Sequence, residues 1–179
     1  MKYTFDKMSK TLIIYSTIDG QTKRICQRLS ELSKSTNDIN LFPIEETEMI
    51  DLQSYEKIIL GASIRYGKHS PKVFEFVKKN KDILDKKETA FFTVNVVARK
   101  KEKNTPETNP YMKKFLELSG WNPDKLGVFA GKIDYPKYGF FDKQVIRLIM
   151  LITKGPTDTS QTYEFTDWEK VREFSRQLF

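Results

Sequence analysis

Residues 12–22 read Leu-Ile-Ile-Tyr-Ser-Thr-Ile-Asp-Gly-Gln-Thr, and no other stretch limits the fold as much. An apolar, partly β-branched run stops at hydroxyls, an acid and a glycine, and an amphipathic run over 23–34 begins at once. This order of residues describes a buried strand, a tight polar turn and the start of a helix. Such a turn gathers the unpaired backbone N–H groups of a helix's first turn, where the dipole favours an anion. Ser16, Thr17 and Thr22 add hydroxyl donors, while Ile18, Gly20 and Gln21 contribute backbone. Two readings follow from the loop alone: a cradle for the phosphate of a nucleotide-like cofactor, or the capped helix start found in any α/β protein.

The remaining chain repeats the strand–turn–helix pattern. Residues 11–15 read as the first strand and 21–35 as the first helix, with Ile25, Leu29 and Leu32 on its core face. Short apolar runs at 39–44, 57–61, 89–97 and 125–130 read as further strands, and 45–54 as an acidic loop or short helix. Helices are expected over 71–81, with Pro71 suited to the first turn, over 111–118, and from Thr166 to Leu178, where Thr166 and Glu169 have capping-box spacing. Continuous apolar strands separated by helices imply a parallel sheet covered on both faces. The expected architecture is a doubly wound α/β sandwich of five strands in the order 2-1-3-4-5. Ligands bind such sheets at the carboxyl ends of the strands. Three polar turns are expected there: 16–22, 61–69 and the basic stretch 95–109, which carries Arg99, Lys100, Lys101 and Lys103.

Composition excludes several classes. Of 179 residues, 39% are hydrophobic and 13% aromatic, too many for a disordered chain. The net charge of +7 suits an anionic partner or simple solubility, but the cations are not interleaved with aromatics as in single-strand nucleic-acid surfaces. A single cysteine forms no internal disulfide and fits a reducing compartment; Cys26, beside Ile25, reads as a packing residue. With His69 the lone histidine, no thiolate–imidazole metal site is expected. The first ten residues lack the apolar segment of a signal peptide, and no stretch reaches the roughly 20 apolar residues of a membrane span. Residues 1–9 read as an extension, with Met8 a candidate start, and 10–179 as one domain.

One segment exceeds what the sheet requires. Residues 132–162 lie between the fifth strand and the last helix and open with an aromatic run containing Tyr135 and Tyr138. Within them, Lys143, Arg147 and Lys154 share a narrow helical face. Val145, Leu148, Ile149 and Ile152 lie opposite, widened by Ile146, Met150 and Leu151, and Gly155-Pro156 ends the run. From 132 to 154, five cations face two acids, Asp134 and Asp142. Such a helix suits the surface of an anionic membrane, through the region from Phe140 to Lys154, or packing on the domain or a second subunit.

Ser-Thr-Ile-Asp-Gly-Gln-Thr at 16–22 resembles the phosphate loop of flavodoxin-like proteins. Gly-Ala-Ser-Ile-Arg-Tyr-Gly at 61–67, Val-Asn-Val-Val-Ala-Arg-Lys at 94–100, Thr-Asp-Trp-Glu at 166–169 and Tyr-Pro-Lys-Tyr at 135–138 extend the match. Together they resemble the flavodoxin-type, quinone-dependent protoporphyrinogen IX dehydrogenases of bacterial heme synthesis, over nearly the whole chain from Lys10 on. The resemblance implies a flavodoxin-like three-layer sandwich that binds FMN, an insertion before the last helix, protoporphyrinogen IX as substrate, and menaquinone or ubiquinone as acceptor. It also implies a cytoplasmic protein peripherally associated with the membrane, and no nucleic-acid partner.

In this reading Ser16, Thr17, Ile18, Gly20, Gln21 and Thr22 hold the phosphate. Ser63, Ile64, Arg65, Tyr66 and Gly67 flank the isoalloxazine, and Asn95, Val96, Val97 and Ala98 form its other edge. Arg65, Arg99, Tyr135 and Tyr138 are the candidate substrate contacts. The flavin carries the redox chemistry, so no side-chain nucleophile is needed. Two departures stand out. The loop at 95–98 lacks the stacking aromatic of simple flavodoxins, leaving Tyr66 as the candidate and one flavin face open. Asp19 replaces the usual threonine and is expected to cap the helix rather than touch the phosphate. The alternatives on the same fold are a flavodoxin-like electron carrier and an NAD(P)H:quinone reductase.

Overall fold

A computed structural model of the chain describes residues 9–35 and 37–179. The expected extension over 1–9 falls outside the described residues except for Ser9, the first residue of β1 (Ser9–Ser16). In chain order there follow α1 (Gln21–Ser33), β2 (Asn37–Pro43), β3 (Lys57–Arg65), β4 (Lys68–His69), α2 (Pro71–Leu84), β5 (Glu88–Val94), α3 (Pro110–Ser119) and β6 (Lys125–Phe129). The insertion supplies β7 (Lys132–Asp134), α4 (Phe140–Ile152) and β8 (Thr162–Glu164), and α5 (Trp168–Leu178) closes the chain.

The main sheet runs β2-β1-β3-β5-β6, all parallel, with β4 paired antiparallel to the end of β3. Apart from that added hairpin, the order is the expected one. Alternation along the strands sorts the core into two layers. Leu12, Ile58, Leu60 and Phe91 face α2 and α3 through Val73, Phe76, Met112 and Phe115. Ile13, Ile59 and Phe92 face α1 and α5 through Ile25, Leu29, Val171 and Phe174. Cys26 lies wholly buried in the second layer and burial pushes its thiol far up, so it packs and does not react.

One close approach shapes the sheet. Phe92 on β5 is in register with Gly61 on β3 and with Gly127 on β6. A Cβ on Gly61 would lie 2.3 Å from the Phe92 ring, and one on Gly127 would lie 3.0 Å from its Cβ. The ring, edge-on to Phe129 and Phe174, occupies the space two missing side chains leave. Gly61 therefore sits within β3, and the turn expected at 61–69 narrows to Tyr66 and Gly67.

Other boundaries shift for local reasons. β5 stops at Val94 because the Asn95 side chain accepts the N–H of Ala98 at 3.0 Å and starts a short 3-10 turn over Val96–Arg99. The last helix is capped by Asp167, which accepts from Glu169 and Lys170 N–H groups. Thr166 is used elsewhere, its hydroxyl donating to the Ala130 carbonyl at 2.8 Å, so the expected capping box does not form.

Candidate functional site

The carboxyl ends of β1, β3 and β5 bring three turns around two joined cavities. The smaller, about 40 Å³, is lined by Thr17, Gln21, Thr22 and Ser63, among others. The larger, about 120 Å³, is lined by Arg65, Tyr66, Val97 and Tyr138, among others. Asp19, Ile64, Asn95, Val96 and Lys132 belong to both walls, so the two form one site.

The first turn is built as an anion cradle. Gly20 precedes α1 at φ +82°, a left-handed conformation natural to glycine, and its N–H donates to Thr17 Oγ1 at 3.0 Å. Thr22 is wholly buried, and its hydroxyl has no hydrogen-bond partner among the described residues. An unpaired buried hydroxyl in the first turn of a helix is unfavourable unless a ligand completes it. The phosphate implied by the sequence motif would supply that partner, so these residues fit FMN. Gln21 contributes backbone only, because its amide donates to Thr166 Oγ1 at 2.8 Å and Glu164 Oε1 at 3.2 Å. Ser16 ends β1 nearly buried, and Ile18 points outward, 60% exposed.

Asp19 does not cap the helix. Its Oδ2 accepts from Arg65 Nη1 at 2.8 Å and from the Tyr138 hydroxyl at 3.3 Å. The guanidinium offsets a carboxylate that would otherwise repel a phosphate. Arg65 also pairs with Asp142 at 3.0 Å and lies about 5 Å from the ring centroids of both Tyr66 and Tyr138. Burial opposes its charge, but Asp19, Tyr66 and Asp142 outweigh that effect and raise its pKa. Arg65 is thus a fixed, paired cation rather than a free one. Burial, first of all, pushes the Tyr138 phenol up to about 12, which keeps it protonated and able to donate.

Tyr66 and Gly67 join β3 to β4 with φ of +49° and +77°. Two positive φ values in a two-residue hairpin loop are the pattern of a type I′ turn, in which tyrosine is an unusual first residue. Its strain is of order 1–2 kcal/mol, offset by the hydrogen bond from its hydroxyl to Asp142 and by the Arg65 contact.

The third turn divides its residues. Asn95, Val96 and Val97 line the larger cavity, whereas Ala98 is buried in the α2–α3 layer of the core. Arg99 donates to the Thr153 carbonyl at 2.8 Å, to Thr153 Oγ1 at 3.0 Å and to the Val96 carbonyl at 3.1 Å. Partial burial lowers its pKa. It closes the C-terminus of α4 through neutral acceptors.

Tyr135 also has another task. It is wholly buried, its hydroxyl donates to the Pro156 carbonyl at 3.0 Å, and it packs with Ile133 and Met150 in a small core of the insertion's own. It offers no surface to a substrate in this structure. The larger cavity is lined on its α4 side by Ile146, Ile149 and Met150. The opposite face of that helix is bare: Phe141 is 82% exposed, Leu148 56% and Ile152 72%. No helix among the described residues is long and apolar enough to cross a membrane.

Sequence reading missed Lys132, Tyr111 and the cavity-facing side of α4. The apolar arc of α4 was visible, but nothing local told which part of it faced the site. Tyr111 reads only as a helix start; the cap made by Asn109, which accepts from the N–H groups of Tyr111 and Met112, aims it at the cavity wall.

The profile of the family described as Flavodoxin domain matches residues 12–160. A protoporphyrinogen IX dehydrogenase (quinone) of Escherichia coli K12 is 44% identical over 173 residues, covering 94% of each chain. A protein of the same name from Leishmania major is 44% identical over 170 residues, covering 93% of this chain and 73% of its own. Among solved structures, a short-chain flavodoxin associated with a bacterial microcompartment aligns with a TM-score of 0.53 at 12% identity, over 96% of this chain and 97% of its own. An archaeal flavodoxin aligns at 0.51 and 15% identity, over 93% and 92%.

Proposed function

We propose a function from one premise: the chain belongs to the flavodoxin domain family and, within it, to the protoporphyrinogen IX dehydrogenases of the quinone type. It binds FMN and oxidises protoporphyrinogen IX to protoporphyrin IX, passing the electrons to a quinone. The observation that carries this reading is the Thr22 cradle, opening into a cavity walled by Tyr66, Val97 and the insertion.

FMN supplies the two-electron redox chemistry when bound. The chain supplies position and charge. Thr17, Thr22 and the N–H groups from Gly20 onward hold the phosphate, and Ser63, Ile64 and Asn95 continue that wall. Tyr66, Gly67, Val96 and Val97 would frame the ring system, with Ile146, Ile149 and Met150 keeping water from it. Arg65 and Lys132 stand at the rim already paired, Arg65 with Asp19 and Asp142 and Lys132 with Asp134, so they fix the wall and balance its carboxylates. Tyr138, protonated across the working range, gives its O–H to Asp19 and holds that carboxylate together with Arg65.

Anaerobic addition of protoporphyrinogen IX to FMN-loaded protein should bleach the flavin, and a short-chain quinone should restore its colour. No bleaching would overturn the reading.

The protein also docks on a membrane surface through α4. Phe141, Val145, Leu148 and Ile152 form an exposed apolar face, and Arg147 and Lys154 are exposed on the other side of the helix. That composition suits a helix lying at an anionic lipid interface. Each large apolar side chain buried there contributes about 1.5–3 kcal/mol. Phe141→Glu with Leu148→Glu should therefore weaken co-sedimentation with anionic vesicles by at least about a hundredfold, with FMN content unchanged. Equal sedimentation of the double variant would refute docking through this face.

A further inference from the structure

We propose that a second cavity, walled by α2, α3 and the turn between β3 and β4, holds the ring of the quinone acceptor. The inference rests on the function proposed above and adds the place where the acceptor binds. The cavity has a volume of about 500 Å³, within the range of small-molecule sites. Its walls are largely apolar, with Phe74, Phe115, Pro71 and Leu118 around His69 and Tyr111. Nothing in the first cavity requires it: it lies beside the cofactor site and is not part of the cradle.

Two connections tie it to that site. Gly67 and Tyr111 line both cavities, so only one residue's thickness separates them at those points. A buried polar line runs between them as well. His69 Nε2 is 3.0 Å from Thr93 Oγ1, which is 3.5 Å from Asn95 Nδ2, and Asn95 lines the cofactor cavity. Burial lowers the His69 pKa to about 4, so the imidazole is neutral at ordinary pH and charges no ligand.

The chemistry of the walls selects the occupant. The edge-on and tilted rings of Phe115, Phe74 and His69 in the wall favour a flat, uncharged aromatic. Two carbonyl oxygens on such a ring need donors, and Tyr111, His69 and Lys68 are in the wall. A porphyrinogen, with its much larger macrocycle, suits a cavity of this size poorly. Conversion of the quinone to the quinol would take two electrons from bound reduced FMN and two protons from water at the rim beside Leu118, 62% exposed. The hydrogens that the reduced flavin gives up would leave as protons to water at its own cavity, so the sum is one reduced flavin and one quinone converted to one oxidised flavin and one quinol.

The test uses the full chain loaded with FMN. Leu118→Glu puts a charge at the mouth without disturbing the core, and Phe74→Leu removes part of the aromatic wall while keeping it apolar. Calorimetric titration of a short-chain naphthoquinone into the oxidised protein should give a Kd at least about tenfold weaker in Leu118→Glu, and a smaller loss in Phe74→Leu. Stopped-flow reoxidation of the reduced protein by the same quinone should slow about as much, with bleaching by protoporphyrinogen within about twofold of the parent. Melting temperature and flavin content report on the fold. Unchanged Kd and reoxidation in both variants would overturn the assignment. Slowed bleaching with normal reoxidation would overturn it too, giving the cavity to the porphyrinogen. A parent that never bleaches refutes the proposed function instead, and the calorimetric Kd still decides whether the cavity takes a quinone.

Discussion

Thr22→Val should move two measurements in opposite directions. The cofactor-free chain should gain about 1 kcal/mol of stability, and the Kd for FMN should rise about ten- to a hundredfold. Valine matches threonine in shape but removes the hydroxyl that is buried without a partner among the described residues. In the free chain that group is desolvated and uncompensated, so its loss is favourable. With phosphate present, the same hydroxyl donates a hydrogen bond to a charged acceptor, worth about 1.5–3 kcal/mol. Thermal melting without flavin and fluorescence titration with FMN read the two effects separately. A destabilised free chain, or an unaltered Kd, would mean that Thr22 is an ordinary packing residue.

Gly61→Ala should lower the melting temperature by roughly 6–12 °C, from a loss of about 3 kcal/mol in a chain of this size. The added methyl group would meet the Phe92 ring at 2.3–2.8 Å, and Phe92 is wholly buried. The ring cannot swing away, because Phe129 and Phe174 pack on it at 5.5 and 6.2 Å between centroids. Phe92→Leu in the same chain should return part of the loss, a coupling expected only of residues in contact. A melting temperature within about 2 °C of the parent would show that the sheet opens there easily.

These two positions show what one sequence can tell. The strand, turn and helix around Thr22 were legible because the signal is local: strand, hydroxyls, glycine and helix follow each other within eleven residues. The order of the five long strands was legible for the same reason, each strand and helix carrying its own periodicity. Gly61 was read as the opening of a turn because its reason for being glycine is a ring 31 positions away in sequence, matched only when β3 and β5 align. Asp19 and Arg65 were read as a helix cap and a substrate cation, and they are partners of each other across 46 positions. Arg99 was read as a candidate substrate contact, and its acceptor at Thr153 lies beyond any local pattern. Charge and apolar spacing mark where a side chain can act; pairing across the chain decides which of those roles is filled.

The fastening of α4 bears on how this fold is engineered. Its first turn is held by Asp142 to Arg65, and its last carbonyl by Thr153 to Arg99, so both anchors belong to turns of the sheet. The segment is therefore not a portable cassette. Grafted onto a plain flavodoxin without these two arginines and Asp19, it would arrive with an unpaired carboxylate and an unclosed helix end. Trimmed from this chain, it would strip partners from Arg65, Arg99 and the strained Tyr66 at once. A chimera built to exchange insertions between relatives has to exchange the tips of β1, β3 and β5 with them.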